Sequence, residues 1–387
     1  MRPDVDMLVV GGGAIGLAAA WRAAECGLSV LVVERERPGA GSSIAAAGVI
    51  SPTEPHEWEG PLGRFNAAAV GAWPEFAERL SHASGGEVGF RRTGSLRVAR
   101  DEGEAAELVR TERALALAGV PAVVLDERGC RVEEPEMAGV VGGLLYPDDA
   151  HVDTSALLPA LVRAARGAGV EIAEGVEPVA ALRADGRLEG VRLSDGTDRP
   201  AALTVLCAGA WSAQAPWLEP ELRPPVHPLA GEYAIVRAAP GICRRMVRAP
   251  HAPVIPRDDG HYWIGATFRE AGYVAAPHAR SLSGVLMSAL SLFPRLGDGE
   301  VEAVGVGLRP ATPDGMPLVG PSALAGLAIA TGHGRDGIIH APLTAEVLAG
   351  LAAGDPLPAL LEPFDPKRFD GQRRGGRPPD RSQTAAG

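Results

Sequence analysis

Two arginines near the C-terminal end of the chain, each among glycines, are the first candidates for chemistry. Arg309 lies in the run Gly307–Gly320, and Arg335 lies in Thr331-Gly332-His333-Gly334-Arg335-Asp336-Gly337. A guanidinium can hold a carboxylate through two parallel hydrogen bonds, which also orients a small substrate. A helical pattern follows the segment 332–337, so its amide groups and the positive end of a helix dipole would face an electron-rich partner. We therefore expect both arginines in glycine-rich turns, as catalytic groups of one site.

A second motif, at the start of the chain, is of the kind that binds a nucleotide. Gly11-Gly12-Gly13-Ala14-Ile15-Gly16 follows a short apolar stretch and precedes an alanine-rich helical pattern. In such a motif the first glycine allows a tight turn, the third lets the backbone approach a pyrophosphate, and the last lets the helix pack on the strand. Glu34 ends the next predicted strand, where a carboxylate can accept both ribose hydroxyls, and Arg35 follows it. These residues alone leave FAD and NAD open.

The elements that position these motifs begin with a strand–helix–strand unit. The pattern predicts a strand over 6–10, a helix from 14 to about 26, a strand over 29–33 and a strand around 301–307. Further helices are predicted over 63–80, 104–117, 154–166, 281–292 and 337–349, and a hairpin over 178–193.

Strand–helix units thus occur at the start, in the middle and at the end of the chain, with antiparallel patterns between them. This order predicts an α/β fold (α+β overall) in which an antiparallel-sheet substrate domain is inserted into a Rossmann-like cofactor domain. We place the cofactor domain at 1–82, 145–222 and 308–365, the substrate domain at 83–144 and 223–307, and a flexible tail at 366–387.

Composition excludes several classes of protein. The chain has 48 acidic and 37 basic residues and a net charge of −11, which argues against a nucleic-acid-binding surface. No apolar run approaches the length of a membrane helix and no leader sequence is recognisable, so we expect a soluble, cytoplasmic protein without a membrane partner. The four cysteines are widely spaced, which favours reduced thiols over disulfides or a metal site. A homo-oligomer remains open.

With two further blocks, the chain resembles the D-amino-acid oxidase family of FAD-dependent amino acid oxidoreductases, and within it the glycine oxidases of the thiamine pathway. The two blocks are Ser42-Ser43-Ile44-Ala45-Ala46-Ala47-Gly48 and Val205-Leu206-Cys207-Ala208-Gly209-Ala210-Trp211-Ser212. All four blocks follow the family's order over nearly the whole chain. The resemblance implies that the Rossmann-like domain binds FAD. Because the segments expected near the flavin contain no cysteine, we expect the FAD to be non-covalent.

The resemblance also implies the residues of the site. Arg309 matches the arginine that grips the substrate carboxylate, and Arg335 matches a second active-site arginine. The implied cofactor-binding residues are Gly11, Gly13, Ala14, Ile15, Gly16, Glu34, Arg35, Ser42, Ser43, Ala46, Ala47, Gly48, Val179 (through its backbone, on the adenine side), Ala208, Gly209, Trp211, Gly332, Arg335, Asp336, Gly337 and Ile338.

The implied reaction is the oxidative deamination of glycine or another small amino acid. Hydride passes from the substrate Cα to flavin N5, the imine is hydrolysed to an oxo acid such as glyoxylate, and O2 is reduced to H2O2, in the service of thiamine thiazole synthesis. The chain departs from the glycine oxidase pattern at Pro253, where a tyrosine is expected, and at Phe268 and Val49, where methionines are expected.

These departures keep alternatives open. One is an oxidase or dehydrogenase for a D-amino acid or an N-methyl amino acid such as sarcosine, with a different electron acceptor. Another is a flavin-binding module without turnover. A nicotinamide dehydrogenase is disfavoured, because it needs no second set of glycine turns near its C-terminus.

Overall fold

The computed structural model describes residues 3–51, 60–249 and 252–370. It confirms the first unit: β1 (Val5–Val10), α1 (Ala14–Glu25) and β2 (Val30–Glu34), with β1 and β2 paired in parallel. The alanines of α1 are buried, because small side chains let this helix approach its neighbours closely.

The first large sheet carries this unit. Its strand order is β10-β11-β12-β1-β2-β9, with β19 beside β12 and β18 beside β19. The added strands are β9 (Glu171–Glu174), β10 (Pro178–Ala184), β11 (Arg187–Leu193), β12 (Asp198–Leu206), β18 (Leu318–Pro321) and β19 (Leu327–Thr331). The predicted hairpin is β10–β11, and its turn residues Asp185 and Gly186 have φ of 49° and 73°.

Helices cover the first large sheet and bury its core. They are α2 (Gly60–Ser84), α5 (Thr154–Gly167) and α7 (Gly337–Ala353), which pack around α1 and one another. Trp21 and Trp73 are buried where α1 and α2 meet, each in edge contact with Phe76. The helices predicted from the pattern are therefore present, with ends shifted by up to four residues.

A second large sheet is built from strands that lie between those of the first sheet along the chain. Its strand order is β17-β13-β16-β15-β14-β5-β7-β6, and all neighbours are antiparallel except β14 and β5. The strands are β5 (Ser95–Ala99), β6 (Val123–Asp126), β7 (Gly142–Tyr146), β13 (His227–Arg237), β14 (Met246–Arg248), β15 (Val254–Pro256), β16 (His261–Gly265) and β17 (Glu300–Ala311). Three helices accompany it: α3 (Glu102–Leu117), α4 (Glu127–Glu133) and α6 (Ala279–Leu292). A small sheet orders β3 (Val49–Ile50), β8 (Ala150–Val152) and β4 (Phe90–Arg91).

The structure corrects the expected position of Arg309. The predicted strand around 301–307 continues to Ala311, so Arg309 lies within β17, opposite Leu229, and not in a turn. Glycines of β17 make room for neighbouring side chains. A Cβ at Gly305 would lie 2.7 Å from the Tyr233 ring, and one at Gly307 would lie 2.9 Å from the Ala45 Cβ.

The start of the predicted tail is also corrected. Residues Pro366–Phe369 form a 3-10 helix with Phe369 buried, and Arg368 Nε donates to Asp314 Oδ2 at 2.8 Å. The remainder of the predicted tail, 371–387, lies outside the described residues. The division into two domains at the boundaries given above stays a prediction, although the two large sheets draw their strands from alternating parts of the chain.

The described residues contain neither a membrane-spanning helix nor a metal-binding cluster. None of the helices there is both long and apolar enough to cross a membrane. In the same residues, no group of three or more His, Cys, Asp and Glu side chains could hold a metal ion. The four cysteines are free; Cys26 is exposed and the other three are buried.

Candidate active site

A cavity of about 1440 Å³ is lined by residues of both large sheets. Typical small-molecule sites are roughly 300–1,000 Å³, so this one has room for a ligand larger than a single metabolite. One end reaches the glycine motif at the start of α1, and the other reaches β16 and β17. We describe these as the nucleotide end and the substrate end.

The nucleotide end is built around close backbone approaches. Gly11 has φ of +111°, and a Cβ there would lie 2.6 Å from the Cys207 carbonyl oxygen, so only glycine fits between β1 and the end of β12. Gly13 caps the start of α1, and a Cβ there would lie 3.1 Å from Ser43 Oγ. Ser43 Oγ in turn accepts from the Ala14 amide at 3.0 Å. This end of the cavity therefore offers helix amides to an anionic group.

Glu34 stands where the sequence places it, at the end of β2 beside the motif. Its Oε2 accepts from the Gly12 amide at 2.7 Å and its Oε1 from the Glu36 amide at 2.9 Å. Each carboxylate oxygen has two acceptor sites, so hydroxyl donors can still be accepted. Next to it, the Arg35 guanidinium lies 4.4 Å from the centre of the Trp211 ring, and both side chains line the cavity.

Most of the segment 42–48 lines the cavity between its two ends, and residues on the other side of the segment fix its position. Ser42 Oγ donates to the Leu308 carbonyl. Gly48 has φ of +74°, and a side chain there would collide with the Val152 carbonyl. Arg257, only 6% exposed, donates to the carbonyls of Ala47 at 3.0 Å and Val152 at 3.1 Å. Sequence reasoning missed Arg257, because its partners lie more than a hundred residues away.

The second glycine-rich segment forms the wall at the start of α7. Residues 333–339 line the cavity, and α7 begins at Gly337. Burial raises the pKa of Asp336, while Arg335, whose Nε lies 3.8 Å from Asp336 Oδ1, lowers it. Burial lowers the pKa of His333 to about 3, so this ring is neutral near pH 7. The wall therefore combines helix amides with a neutral imidazole.

Most of the predicted site residues are brought together at this cavity, and three are not among its lining. Gly16 serves packing, since a Cβ there would strike the Gly11 carbonyl. Val179 is 45% exposed, and its neighbours 176–178 line the cavity instead. A Cβ at Gly332 would meet the Thr312 side chain. Which of the lining residues contact a cofactor or a substrate stays a prediction.

The substrate end is built from side chains around Arg309. Its guanidinium donates from one terminal nitrogen to the Thr267 carbonyl at 2.9 Å and lies 4.4 Å from the centre of the Phe268 ring. The guanidinium fills the place that a side chain at Gly231 would take. Burial lowers the pKa of Arg309 to about 10, and the nearby Glu232 carboxylate raises it. Arg309 is therefore a partly buried cation at neutral pH.

The three departures from the glycine oxidase pattern all line this end. Val49, Pro253 and Phe268 give it an apolar wall together with Trp263. Two tyrosines that might have replaced the missing hydroxyl are engaged elsewhere. Tyr262 is buried and donates to the Ala239 carbonyl at 2.7 Å. Tyr233 stacks on Trp263, with 5.8 Å between ring centres, and is not among the lining residues.

Comparison with known proteins agrees with this architecture. The family model described as "FAD dependent oxidoreductase" (DAO) matches residues 6–351. A glycine oxidase of Pseudomonas aeruginosa is 32% identical over 365 residues, covering 91% of this chain and 97% of that protein. The crystal structure of glycine oxidase from Geobacillus kaustophilus superimposes with a TM-score of 0.87 at 29% identity, covering 94% of this chain and 98% of the other.

A third relative is longer than this chain. The bifunctional protein ThiO/ThiG of Synechocystis sp. is 32% identical over 378 residues, covering 95% of this chain but 55% of the relative, so the chain spans about half of that protein's length. The fold, the nucleotide end and these matches agree. The chain belongs to the DAO family of FAD dependent oxidoreductases.

Proposed function

We propose that this protein oxidatively deaminates glycine or another small amino acid, with O2 as the electron acceptor. The observation that carries the proposal is the presence, in one cavity, of a dinucleotide-type glycine motif and of a partly buried, cationic Arg309. The overall reaction takes one amino acid, one O2 and one water, and gives an oxo acid, ammonia and H2O2. With glycine the oxo acid is glyoxylate.

The residues of the nucleotide end fit FAD. Gly11 permits the close approach to the end of β12, Gly13 leaves space beside Ser43 that a Cβ would fill, and the amides at the start of α1 suit a pyrophosphate. Glu34 would hold the ribose hydroxyls, and the block around Ala46–Gly48 and the wall at 333–338, which line the same cavity, would hold the ring system. When bound, FAD supplies the acceptor for the two electrons that leave the substrate.

The chain's own contribution at the substrate end is orientation. Arg309 binds the substrate carboxylate, which sets the direction of the Cα–H bond. Val49 and Pro253 keep water from the bound amine, which favours its neutral, reactive form. No side chain has to act as a general base, because the lone pair of the neutral amine forms the C=N bond as the hydride leaves Cα with the C–H electron pair.

A substrate survey tests the proposal. The purified, FAD-loaded protein is incubated separately with glycine, sarcosine, D-alanine and D-proline. The amounts of peroxide and of oxo acid formed are both measured. We expect glycine or another small amino acid to give both products in a one-to-one ratio. Flavin-loaded protein that forms neither product and reduces no dye with any of these substrates would refute it.

A second candidate is a dehydrogenase for a larger or N-substituted amino acid. It is favoured by Pro253 and Val49, since both replace larger side chains of the glycine oxidase pattern and both line the substrate end. In that case dye reduction with sarcosine or D-proline proceeds much faster than peroxide formation. The ratio of the two rates separates the candidates.

A role in thiamine thiazole synthesis belongs to the first candidate. Its support is the likeness to the ThiO half of the bifunctional ThiO/ThiG relatives, whose length this chain covers only in part. Restoration of thiamine-independent growth in a host lacking its own glycine oxidase is the matching test, and growth that still requires thiamine contradicts the role.

A further inference from the structure

One acidic side chain at the substrate end is fully buried and does not line the cavity. Glu232 lies on β13, next to Gly231, and its side chain is 0% exposed. Burying a carboxylate is costly unless it is paired and hydrogen-bonded. Its partners therefore indicate why the fold keeps it there.

Glu232 is joined to Thr267 in both directions. The Thr267 hydroxyl donates to Glu232 Oε2, and the Glu232 amide donates to the same hydroxyl oxygen at 3.0 Å. The other carboxylate oxygen, Oε1, accepts from Arg269 Nε at 2.9 Å. The carboxylate thus fixes the two residues on either side of Phe268.

The Arg309 guanidinium contacts the segment 267–269 that Glu232 fixes. Thr267 supplies the carbonyl that accepts from the Arg309 guanidinium at 2.9 Å, and Phe268 supplies the ring beneath it at 4.4 Å. A guanidinium has five N–H donors in a rigid plane. The hydrogen bond to Thr267 and the contact with the Phe268 ring together restrict the plane of the guanidinium and leave its other donors for a ligand.

The same carboxylate balances charge. Two cations, Arg309 and Arg269, flank one anion, Glu232, in a largely buried region. Removing one member of a buried charged group leaves the others uncompensated, which is strongly destabilising. The sum of these three charges is one positive charge, which suits a ligand bearing a single carboxylate.

We infer that Glu232 is a positioning residue: acting through Thr267, it holds the Arg309 guanidinium in the plane that receives the substrate carboxylate. The inference deepens the proposed function and rests on the role of Arg309 in carboxylate binding. Glu232 itself touches neither cofactor nor substrate.

The test uses the FAD-loaded enzyme and acetate as an unreactive carboxylate. Acetate affinity is measured from the change in FAD absorption on titration, and KM and kcat are measured with the best amino acid. Thr267→Val removes the hydroxyl but keeps the backbone carbonyl and the branched shape. We expect it to raise the acetate Kd and KM by about tenfold, within the range by which members of one hydrogen-bond network affect each other, with kcat changed by less than about threefold. Thr267→Ser, which restores the hydroxyl, returns both constants to within about twofold of the wild type.

Glu232→Gln gives the sharper choice between explanations. Thr267 and Arg269 donate to different oxygens of the Glu232 carboxylate, and a glutamine side chain has only one oxygen. One of the two donors therefore loses its acceptor, and the positioning role predicts weaker acetate binding. If Glu232 merely opposed anions through its charge, the same substitution would tighten acetate binding, and that result would overturn the inference.

Glu134→Gln is the matched control. Glu134 is also 0% exposed in its side chain, accepts from the Arg244 and Arg245 amides at 2.9 and 2.8 Å, and does not line the cavity. A purely structural loss would lower the melting temperature in both Gln variants and leave acetate binding unchanged in both, which contradicts the inference. Because acetate binding is measured without turnover, its outcome is separate from that of the substrate survey.

Discussion

The two ends of the cavity are built from different parts of the polypeptide. At the nucleotide end, backbone groups of the stretch 11–16 are the centre of the site, and Glu34, Ser43 and the Cys207 carbonyl surround them. At the substrate end, the side chains of Glu232, Thr267 and Arg309 come from three separate strands or their ends. The first end is thus centred on one short motif, and the second has no such motif. Substitutions at the two ends should therefore separate cofactor binding from substrate binding.

Arg309→Ala should give the largest difference between the effect on kcat/KM and the effect on FAD binding. Truncating one partner of a buried charged pair costs about 2–5 kcal/mol, which is roughly 30-fold to several thousand-fold in kcat/KM. The FAD content of the purified protein should remain that of the wild type, because Arg309 lies at the substrate end. Steady-state kinetics and the FAD-to-protein ratio check this.

A surface arginine provides the control for that experiment. Arg192 pairs with Asp198 on the exposed face of β11. Its substitution by alanine should change neither kcat/KM nor the FAD-to-protein ratio. If Arg309→Ala loses its FAD, or keeps its kcat/KM, the two ends are not separable in the way described.

Gly13→Ala should show the reverse behaviour. The added methyl group lies 3.1 Å from Ser43 Oγ at the start of α1, so it narrows the space for a pyrophosphate without straining a backbone that already has φ of −77°. We expect FAD affinity to fall by about ten- to a hundredfold, equivalent to roughly 1.4–2.7 kcal/mol, while acetate affinity at saturating FAD stays unchanged.

Fluorescence titration of the apoprotein with FAD measures the first quantity. Gly71→Ala, on the exposed side of α2 with nothing within 4 Å of the added atom, is the matched glycine control. It should bind FAD like the wild type. Equal FAD affinity for both variants would contradict the assignment of Gly13.

A smaller effect at the same end is expected for Glu34→Gln. The amide oxygen still accepts one backbone N–H, but a charge-assisted hydrogen bond to a ribose hydroxyl is lost. A fall of about three- to tenfold in FAD affinity follows from a loss of roughly 0.7–1.4 kcal/mol. The same titration applies, with Glu107→Gln as an exposed control on α3. An unchanged dissociation constant for Glu34→Gln would remove this residue from the cofactor site.

The smallest effect concerns pH at the substrate end. Arg309 has a pKa of about 10 and is therefore charged at every pH well below 10. His333 has a pKa of about 3 and is therefore neutral at every pH well above 3. Neither group changes state between pH 6 and 8.5, so the acetate dissociation constant should vary by less than about twofold over that range. A titration series at constant ionic strength tests this. A variation of tenfold or more would mean that another group controls carboxylate binding.

The same contrast between local and distant contacts explains what the sequence could predict. The first strand–helix–strand unit, Glu34 beside the glycine motif and the Asp185–Gly186 turn all depend on neighbours within about 25 residues. Glycine spacing and period-two alternation record such contacts directly. The fold class and the nucleotide end were therefore predictable.

Glu232 and the setting of Arg309 were not predictable in this way. Glu232 meets Thr267 only because β13 and β16 pair, and no motif marks an acidic residue on a strand as buried. The glycine run that begins at Gly307 was interpreted as a turn around Arg309, but Gly307 makes room for Ala45 within a strand. A glycine that admits a neighbouring side chain and one that bends the chain look alike in the sequence.

Arg257 has a consequence for the stability of the whole molecule. It follows β15 of the second large sheet, yet it donates to the carbonyls of Val152, in the small sheet, and of Ala47, which lines the cavity. A ligand that binds only the folded state stabilises it by an amount that grows with the logarithm of its concentration over Kd. Because Arg257 joins the end of β15 to the cavity wall at Ala47, we expect a ligand bound at that wall to stabilise the second large sheet as well. Removing the flavin should therefore lower the unfolding temperature of the substrate end together with that of the nucleotide end.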